Sequence, residues 1–250
     1  MSRTAEAREI VQRQTHYQWR RRFLRDWLLR PLGFTLIARP HVTGRDQIPP
    51  EGPTLLIMNH IAFVDPVIVS GVVTSRFVIP MSKIENFRHP IIGLVARLWG
   101  AIPVDRNRID RRALQNSLDL LTAGHCLLVA PEGTRHHQLQ PAKEGFTYLA
   151  SRTGATVVPV GLENTDRVRG FPRRAVYVRF GAPFRFKVGG RAKIPRDEMY
   201  TMTQEAMYRL AALVNEERRG AYQDLSAATT ATLEFLSSSG VAEGTPKATP

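Results

Sequence analysis

Short apolar runs alternate along most of the chain with stretches in which apolar residues recur at helical spacing. The runs "TLLIMN" (54–59), "RFVIPM" (76–81), "GAIPVD" (100–105), "HCLLVAP" (125–131), "ATVVPVGL" (155–162) and "RAVYVRFGAPF" (174–184) read as strands by their brevity and apolar continuity. Helices are predicted between and after them. "DPVIVSGVV" opens with Asp65 near its N-cap and Pro66 in its first turn, and "HPIIGLVARLW" has Pro90 at its start. "RRALQNSLDLLTAG" is amphipathic and closed by Gly124, and "AKEGFTYLASRTG" follows the fourth strand. "PRDEMYTMTQEAMYRLAALVNEERRG" reads as one long helix with Met199, Met202, Ala206, Met207, Leu210 and Val214 on one face. Strand–helix alternation predicts an α/β fold, a mostly parallel or mixed central sheet flanked by helices. In such sheets sites form beyond the carboxyl ends of strands, which is where Asn59-His60, Asp105-Arg106 and Glu132-Gly133-Thr134-Arg135 fall.

Before the first strand the pattern changes. Residues 1–38 read as helix broken at Pro31, with Trp19, Phe23 and Trp27 at helical spacing, Leu24 and Leu28 widening that face, and Arg21, Arg22 and Arg25 opposite. "HVTGRDQIPPEGP" then reads as a short strand and a turn. Three regions are expected: an amphipathic, membrane-contacting helical segment over 1–40, an α/β domain over 41–220, and a loose tail over 221–250, rich in Ala, Ser, Thr and Gly.

Charge sharpens the reading of the front segment. The net charge is +13, and residues 1–45 hold ten Arg against three acidic residues. Such a field suits an anionic membrane surface, a phosphorylated substrate or nucleic acid, although a bias toward Arg codons also gives an Arg-rich chain. Trp and Phe beside Arg, at low net hydrophobicity, suit a helix lying among lipid headgroups; the alternative is a helix docked on the protein's own core. No run reaches the roughly 18–20 apolar residues of a spanning helix, and the N-terminus lacks the apolar stretch of a secretory signal. The chain is therefore expected on the cytoplasmic face of a membrane, bound peripherally. The single cysteine, Cys126, cannot form an internal disulfide and lies within an apolar run, which favours a core role over a nucleophilic one.

The candidate chemistry starts at "TLLIMNHIAFVDP". A strand ending at Asn59 puts His60 on its exit loop, and five residues of tight turn can fold the Asp65 carboxylate back onto the imidazole. Such a carboxylate sets the ring tautomer and stabilises the imidazolium formed on proton uptake. His and Asp without a serine imply that the substrate brings the nucleophile. Taken alone the pair is weak, since a surface His followed by a helix-capping Asp gives the same letters. Arg106 could grip a phosphate through two hydrogen bonds, or be half of a surface ion pair. In "APEGTRHH", Gly133 permits close backbone approach while Thr134 and Arg135 can donate to an anion, though a solvated turn reads the same way. "VVPVGLE" is mostly core strand.

In combination the segments "NHIAFVD", "GAIPVDR", "PEGTR" and "VVPVG" resemble, in order and spacing, the four blocks of the glycerolipid acyltransferases, and most closely the 1-acylglycerol-3-phosphate acyltransferases. The resemblance runs from about Gly44 to Pro183 and takes in "MSKIENFRHPIIGLVARLWG" and "AKEGFTYLA". It implies His60 as general base and Asp65 as its orienting acid. It implies Arg106, Glu132, Gly133, Thr134 and Arg135 around the phosphate of a lysophospholipid acceptor. The acyl donor would be a thioester of coenzyme A or acyl carrier protein, with no cofactor or metal and no covalent intermediate. The implied product is phosphatidic acid, made at an anionic membrane surface. Ala62, Ala130 and His136 depart from residues frequent in the family, and they leave open an acceptor other than lysophosphatidate. An idle lipid-binding protein on the same fold is the second reading. A nucleic-acid binder is the third and weakest, for no recognition motif accompanies the basic charge.

Overall fold

The structure is a computed structural model and describes residues 3–108, 110–170, 172–191 and 193–236. Its centre is β2, Thr54–Met58, all five residues of which are buried. A strand buried on both faces needs unbroken apolar sequence, which "TLLIM" supplies. Parallel partners flank it: β5 (Cys126–Val129) on one side and β6 (Thr156–Glu163) on the other. Beyond β5 lie β3 (Val78–Lys83) and then β4 (Ile102–Val104), both parallel. Beyond β6 the sheet turns mixed: β7 (Arg174–Phe180) is antiparallel to β6, and β1 (Ala38–Thr43) runs parallel to β7 at the edge. The predicted sixth strand is in fact two. The chain breaks at Gly181, whose N–H binds the Pro159 carbonyl at 2.9 Å, and β8 (Phe184–Phe186) then pairs with the other end of β6.

Period-two alternation splits the β2 side chains between two cores. Leu55 and Ile57 pack with α4 (Arg111–Thr122), α5 (Gly145–Thr153) and α6 (Arg196–Ala211). Leu56 and Met58 pack with α2 (Asp65–Val72). Helix α3 (Pro90–Trp99) lies between β3 and β4 in sequence and starts at Pro90, as expected. Because β2, β5, β3 and β4 are parallel neighbours, their carboxyl ends share one edge. Residues 59–66, 84–89, 105–108 and 130–140 are gathered there.

Three expectations are corrected. Pro31 breaks nothing. Helix α1 (Arg3–Phe23) passes directly into a π-helical segment, Leu24–Ile37, with Pro31 inside it. In an α-helix the proline ring would collide with the carbonyl four residues back. The wider π turn, in which the Ala38 N–H reaches back to the Gly33 carbonyl, relieves that collision. Next, α6 ends at Ala211 instead of Gly220, because the buried Glu163 carboxylate takes the Asn215 N–H at 2.6 Å and pulls the chain onto the end of β6. Finally, residues 221–236 are not a loose tail. The buried Glu205 accepts from Thr229 Oγ1 and from the Ala231 and Thr232 N–H groups, and β9 (Leu233–Phe235) pairs with β8. Residues 237–250 of the expected tail lie outside the described residues.

The N-terminal helix docks by the face opposite to its aromatic one. Arg21 is buried, donates from Nε to the Trp99 carbonyl at 2.6 Å, and bonds the Gln14 side chain. It thereby caps the C-terminus of α3 with a cation, where the helix dipole favours one. Burial lowers its pKa to about 10. Arg25 donates to the Val73 carbonyl and lies 4.7 Å from the centre of the Phe77 ring. The aromatic residues face outward: Trp19 is 68% exposed and Trp27 73%.

Candidate active site

Asn59 ends β2 in an unusual way. Its side-chain amide donates to the Leu162 carbonyl at 2.9 Å and accepts the Leu162 N–H at 2.7 Å. One side chain thus supplies the next rung of the β2–β6 ladder after the Met58–Val160 pair. The Asn59 backbone is freed to turn, and His60 leaves the sheet at its carboxyl edge. Sequence reasoning treated Asn59 as punctuation; an amide directly after a buried strand and before a His was the available signal.

His60 is then held from three sides. Its Nδ1 lies 2.8 Å from Asp65 Oδ2. The same oxygen accepts the Ile61 and Ala62 N–H groups at 2.7 and 2.8 Å, so the loop is folded around the carboxylate. The His60 carbonyl accepts the His136 N–H at 2.9 Å, which ties the loop to the segment after "PEGTR". The His60 N–H donates to the Glu132 carboxylate. Asp65 is fully buried and His60 nearly so. With Nδ1–H directed at Asp65, the neutral ring keeps its lone pair on Nε2. The two residues read from "NHIAFVD" as base and orienting acid are therefore in direct contact beside a cleft that His60 helps to line.

Glu132 sits differently from the expectation that it surrounds a phosphate. Its carboxylate is buried, accepts the Gln140 N–H at 2.9 Å as well as the His60 N–H, and faces the loops. Burial pushes its pKa up to about 7 despite both hydrogen bonds. The carboxyl is turned to backbone N–H groups and does not line the cavity, and its placement makes it a brace for the His60 loop. Of the next three residues, Gly133 lines the cleft. Gly133 has φ of +77°, and a Cβ there would come 3.3 Å from Lys143 Cε. Thr134 and Arg135 are exposed.

Arg106, half-buried at the end of β4, has its pKa lowered by burial and then by the charge of Arg135, while Glu85 opposes. Two guanidiniums from different loops are thus close enough to repel each other. Asp105 does not neutralise Arg106: its carboxylate pairs with Arg108 at 2.8 Å. Like charges held together in this way favour an anion between them. Lys143, two residues before α5, adds a third cation against Gly133. Sequence reasoning passed over it as part of a helix, and the mark was a lone Lys two residues before Gly145.

A cavity of about 720 Å³ runs from these groups into the protein. His60, Arg106, Gly133 and Lys143 line its polar end, and Leu128 and Leu149 belong to its apolar wall. The volume suits a small-molecule site with a long apolar portion. Cys126 plays no part in it: the thiol is buried in β5, and burial raises its pKa to about 12. Among the described residues no three of His, Cys, Asp or Glu come together as a metal-binding group. Among those residues, too, no helix is long and apolar enough to cross a membrane.

Away from the cleft, Arg218 ties separate segments of the chain together. It donates to Asp166 Oδ2 and to the His137 carbonyl and lies 3.9 Å from Glu163. The Leu139 N–H in turn donates to the Arg218 carbonyl. The loop carrying Arg135 is thereby fastened to the end of β6.

Comparison with known proteins identifies the family. The profile of the family described as Acyltransferase matches residues 39–163. A 1-acyl-sn-glycerol-3-phosphate acyltransferase of Chlamydomonas reinhardtii is 37% identical over 131 residues, 50% of this chain and 38% of the relative. One from Borreliella burgdorferi is 32% identical over 129 residues, 50% of this chain and 51% of the relative. The chain thus spans about half the length, or less, of these curated relatives. The crystal structure of the 1-acyl-sn-glycerophosphate acyltransferase PlsC from Thermotoga maritima superimposes with a TM-score of 0.58 at 20% identity, over 88% of this chain and 91% of that one. That likeness establishes the shared fold. The family profile covers all four sequence blocks, from β1 to the end of β6, and by that match this chain belongs to the acyltransferase family.

Proposed function

We propose that this protein transfers an acyl chain from acyl-CoA or acyl carrier protein to the sn-2 hydroxyl of 1-acylglycerol 3-phosphate, giving phosphatidic acid. The observation that carries this reading is the 2.8 Å contact between His60 Nδ1 and the buried Asp65 carboxylate, at the polar end of a cavity that also holds Arg106. The names of the relatives support the choice of acceptor.

The chemistry follows from that placement. Asp65 keeps the proton on Nδ1, so Nε2 takes the proton of the acceptor hydroxyl as its oxygen attacks the thioester carbon. The tetrahedral oxyanion collapses, the C–S bond breaks, and the imidazolium returns the proton to the departing thiolate. The ester and the free thiol are the products, and the base is regenerated. General-base assistance of this kind contributes about 10²–10⁴-fold in rate. Arg106, Arg135, Thr134 and Lys143 surround the acceptor's phosphate, and the apolar part of the cavity takes an acyl chain. The N-terminal helix, with exposed Trp19, Phe23 and Trp27 beside Arg20 and Arg22, rests on an anionic leaflet, peripherally and from the cytoplasmic face.

The test is release of free thiol from acyl-CoA and from acyl carrier protein in the presence of lysophosphatidate. His60→Ala should remove turnover by at least about 10²-fold while thermal unfolding and vesicle binding stay as in the parent. Arg106→Ala and Arg135→Ala should chiefly raise the acceptor KM. Full activity in His60→Ala would reject the base, and a rise confined to the donor KM would reject the phosphate site.

A further inference from the structure

Helix α3 presents an aliphatic face to the outside that nothing in the described chain covers. Its inner side is spoken for: Gly93 packs so tightly on the Phe87 backbone that a Cβ would fall 2.5 Å from the Phe87 carbonyl oxygen. Trp99 is buried with its indole N–H on the Val78 carbonyl. On the outer side Ile91 is 69% exposed, Leu94 53% and Val95 45%. The ten-residue helix carries one charge, Arg97, at its C-terminal end.

The position of this face gives it meaning. Ile91 and Val95 are exposed and also line the cavity that starts at His60. The same double property belongs to Leu28, Leu32 and Ile37 of the π-helical segment and to Phe63. Residues that are both exposed and cavity-lining mark its rim. Arg108, Lys143 and Gly145 share that property at the polar end, so the mouth extends from there to the gap between α3 and the N-terminal segment, where both lips are apolar. Buried Arg21, on the Trp99 carbonyl, and Gln14, on the Gly100 carbonyl, hold α1 against the end of α3 and fix the two lips relative to each other. An apolar rim of this kind facing water would be an unusual exposed patch. Exposed arginines flank it: Arg20 and Arg22 on α1, Arg97 on α3 and Arg88 just before it. Apolar contact rimmed by cations complements an anionic lipid leaflet.

We infer that α3 is a second lipid-contacting element, forming with the N-terminal segment a pair of lips that seat the mouth of the cavity on an anionic leaflet. The inference deepens the proposed function and rests on it for the meaning of the cavity, but the contact itself is measurable without turnover.

Leu94 is the residue to change, because it is exposed and is not part of the cavity wall. The full chain is sedimented with vesicles of phosphatidylcholine containing one-quarter phosphatidylglycerol. Leu94→Glu should partition about tenfold or more weaker than the parent, from loss of one buried Leu and addition of a like charge. Tyr200→Glu, at an exposed aromatic on α6 away from the rim, should partition as the parent does. Thiol release with detergent-dispersed lysophosphatidate should be unchanged in Leu94→Glu, which separates docking from chemistry. Leu94→Gln repeats the measurement should the charged variant unfold. Unchanged partition of the Leu94 variants overturns the inference, and so does an equal loss in Tyr200→Glu. A change in sedimenting mass without a change in vesicle binding also overturns it, by assigning the face to a second copy of the chain. A parent protein that binds vesicles through Leu94 but turns over no lysophosphatidate would reject the proposed reaction and leave the contact standing.

Discussion

Asp65 is fully buried and collects the His60 ring and two backbone N–H groups on one oxygen. Glu132 is buried as well, and burial raises its pKa to about 7 from a reference of 4.5. A folded pKa above the unfolded one means that the native state holds the proton more tightly between those values. Stability from this group is therefore full below about pH 4.5 and is lost as pH rises through about 7. Glu132→Gln should flatten that part of the pH dependence, read as thermal midpoints of parent and variant across pH 5 to pH 8. The variant should also lower kcat, because a neutral amide oxygen accepts the His60 and Gln140 N–H groups less strongly than a carboxylate does. A parent whose midpoint does not fall across that range would refute the assigned burial effect.

Between elements, the decisive joint is the end of β2 against β6. The Asn59 amide replaces a backbone rung and lets the chain leave the sheet one residue before the base. Asn59→Ala would leave the buried N–H and C=O of Leu162 without partners. Each such group costs about 1–3 kcal/mol, so the variant should be destabilised by about 2 kcal/mol or more, read as a lower urea midpoint with an unchanged m-value. Turnover should fall beyond what the unfolded fraction explains, since the exit angle of the His60 loop is set here. Asn59→Asp should come close to the parent in stability at acid pH, where the protonated carboxyl can both accept the Leu162 N–H and donate to its carbonyl, and should fall below it as the carboxyl ionises and loses that donor. The same logic explains the early end of α6: helix propensity in "VNEERRG" is outweighed by the bond from the Asn215 N–H to buried Glu163 and by Arg218 on Asp166.

For the whole molecule, the positive field and the exposed apolar lips share one region. The net charge of +13 has its largest local excess in the first 45 residues, where Trp19, Phe23 and Trp27 also face outward. Binding to anionic vesicles should weaken as salt shortens the Debye length from about 30 Å at low salt to about 8 Å at physiological ionic strength. It should not vanish, because the apolar contribution from the aromatic face and α3 is not screened. Co-sedimentation over that salt range, with neutral phosphatidylcholine vesicles alongside, checks both parts. Binding abolished by moderate salt would mean that charge acts alone.

Much was legible along the chain because it is local. Apolar continuity and period marked β2, β5 and β6; Pro90 and Gly124 marked helix ends; and His60 and Asp65 are near enough in sequence for one tight turn to join them. Other features depend on contacts between distant residues. The Arg face of α1 docks inward because the carbonyls of Trp99 and Gly100 need a donor, and nothing near Arg21 in sequence says so. Residues 221–236 order because Glu205 waits for them on α6. Glu132 was read as a phosphate neighbour from its company in "PEGTR", whereas its carboxylate faces the loop amides. The sequence by itself determined the α/β class, the helical front segment and the pairing of His60 with Asp65, since periodicity and short loops are encoded within a few residues. Tertiary structure alone decided which polar groups face the cavity, which brace it, and where it opens, because burial and hydrogen-bond satisfaction are settled by residues brought together from all along the chain.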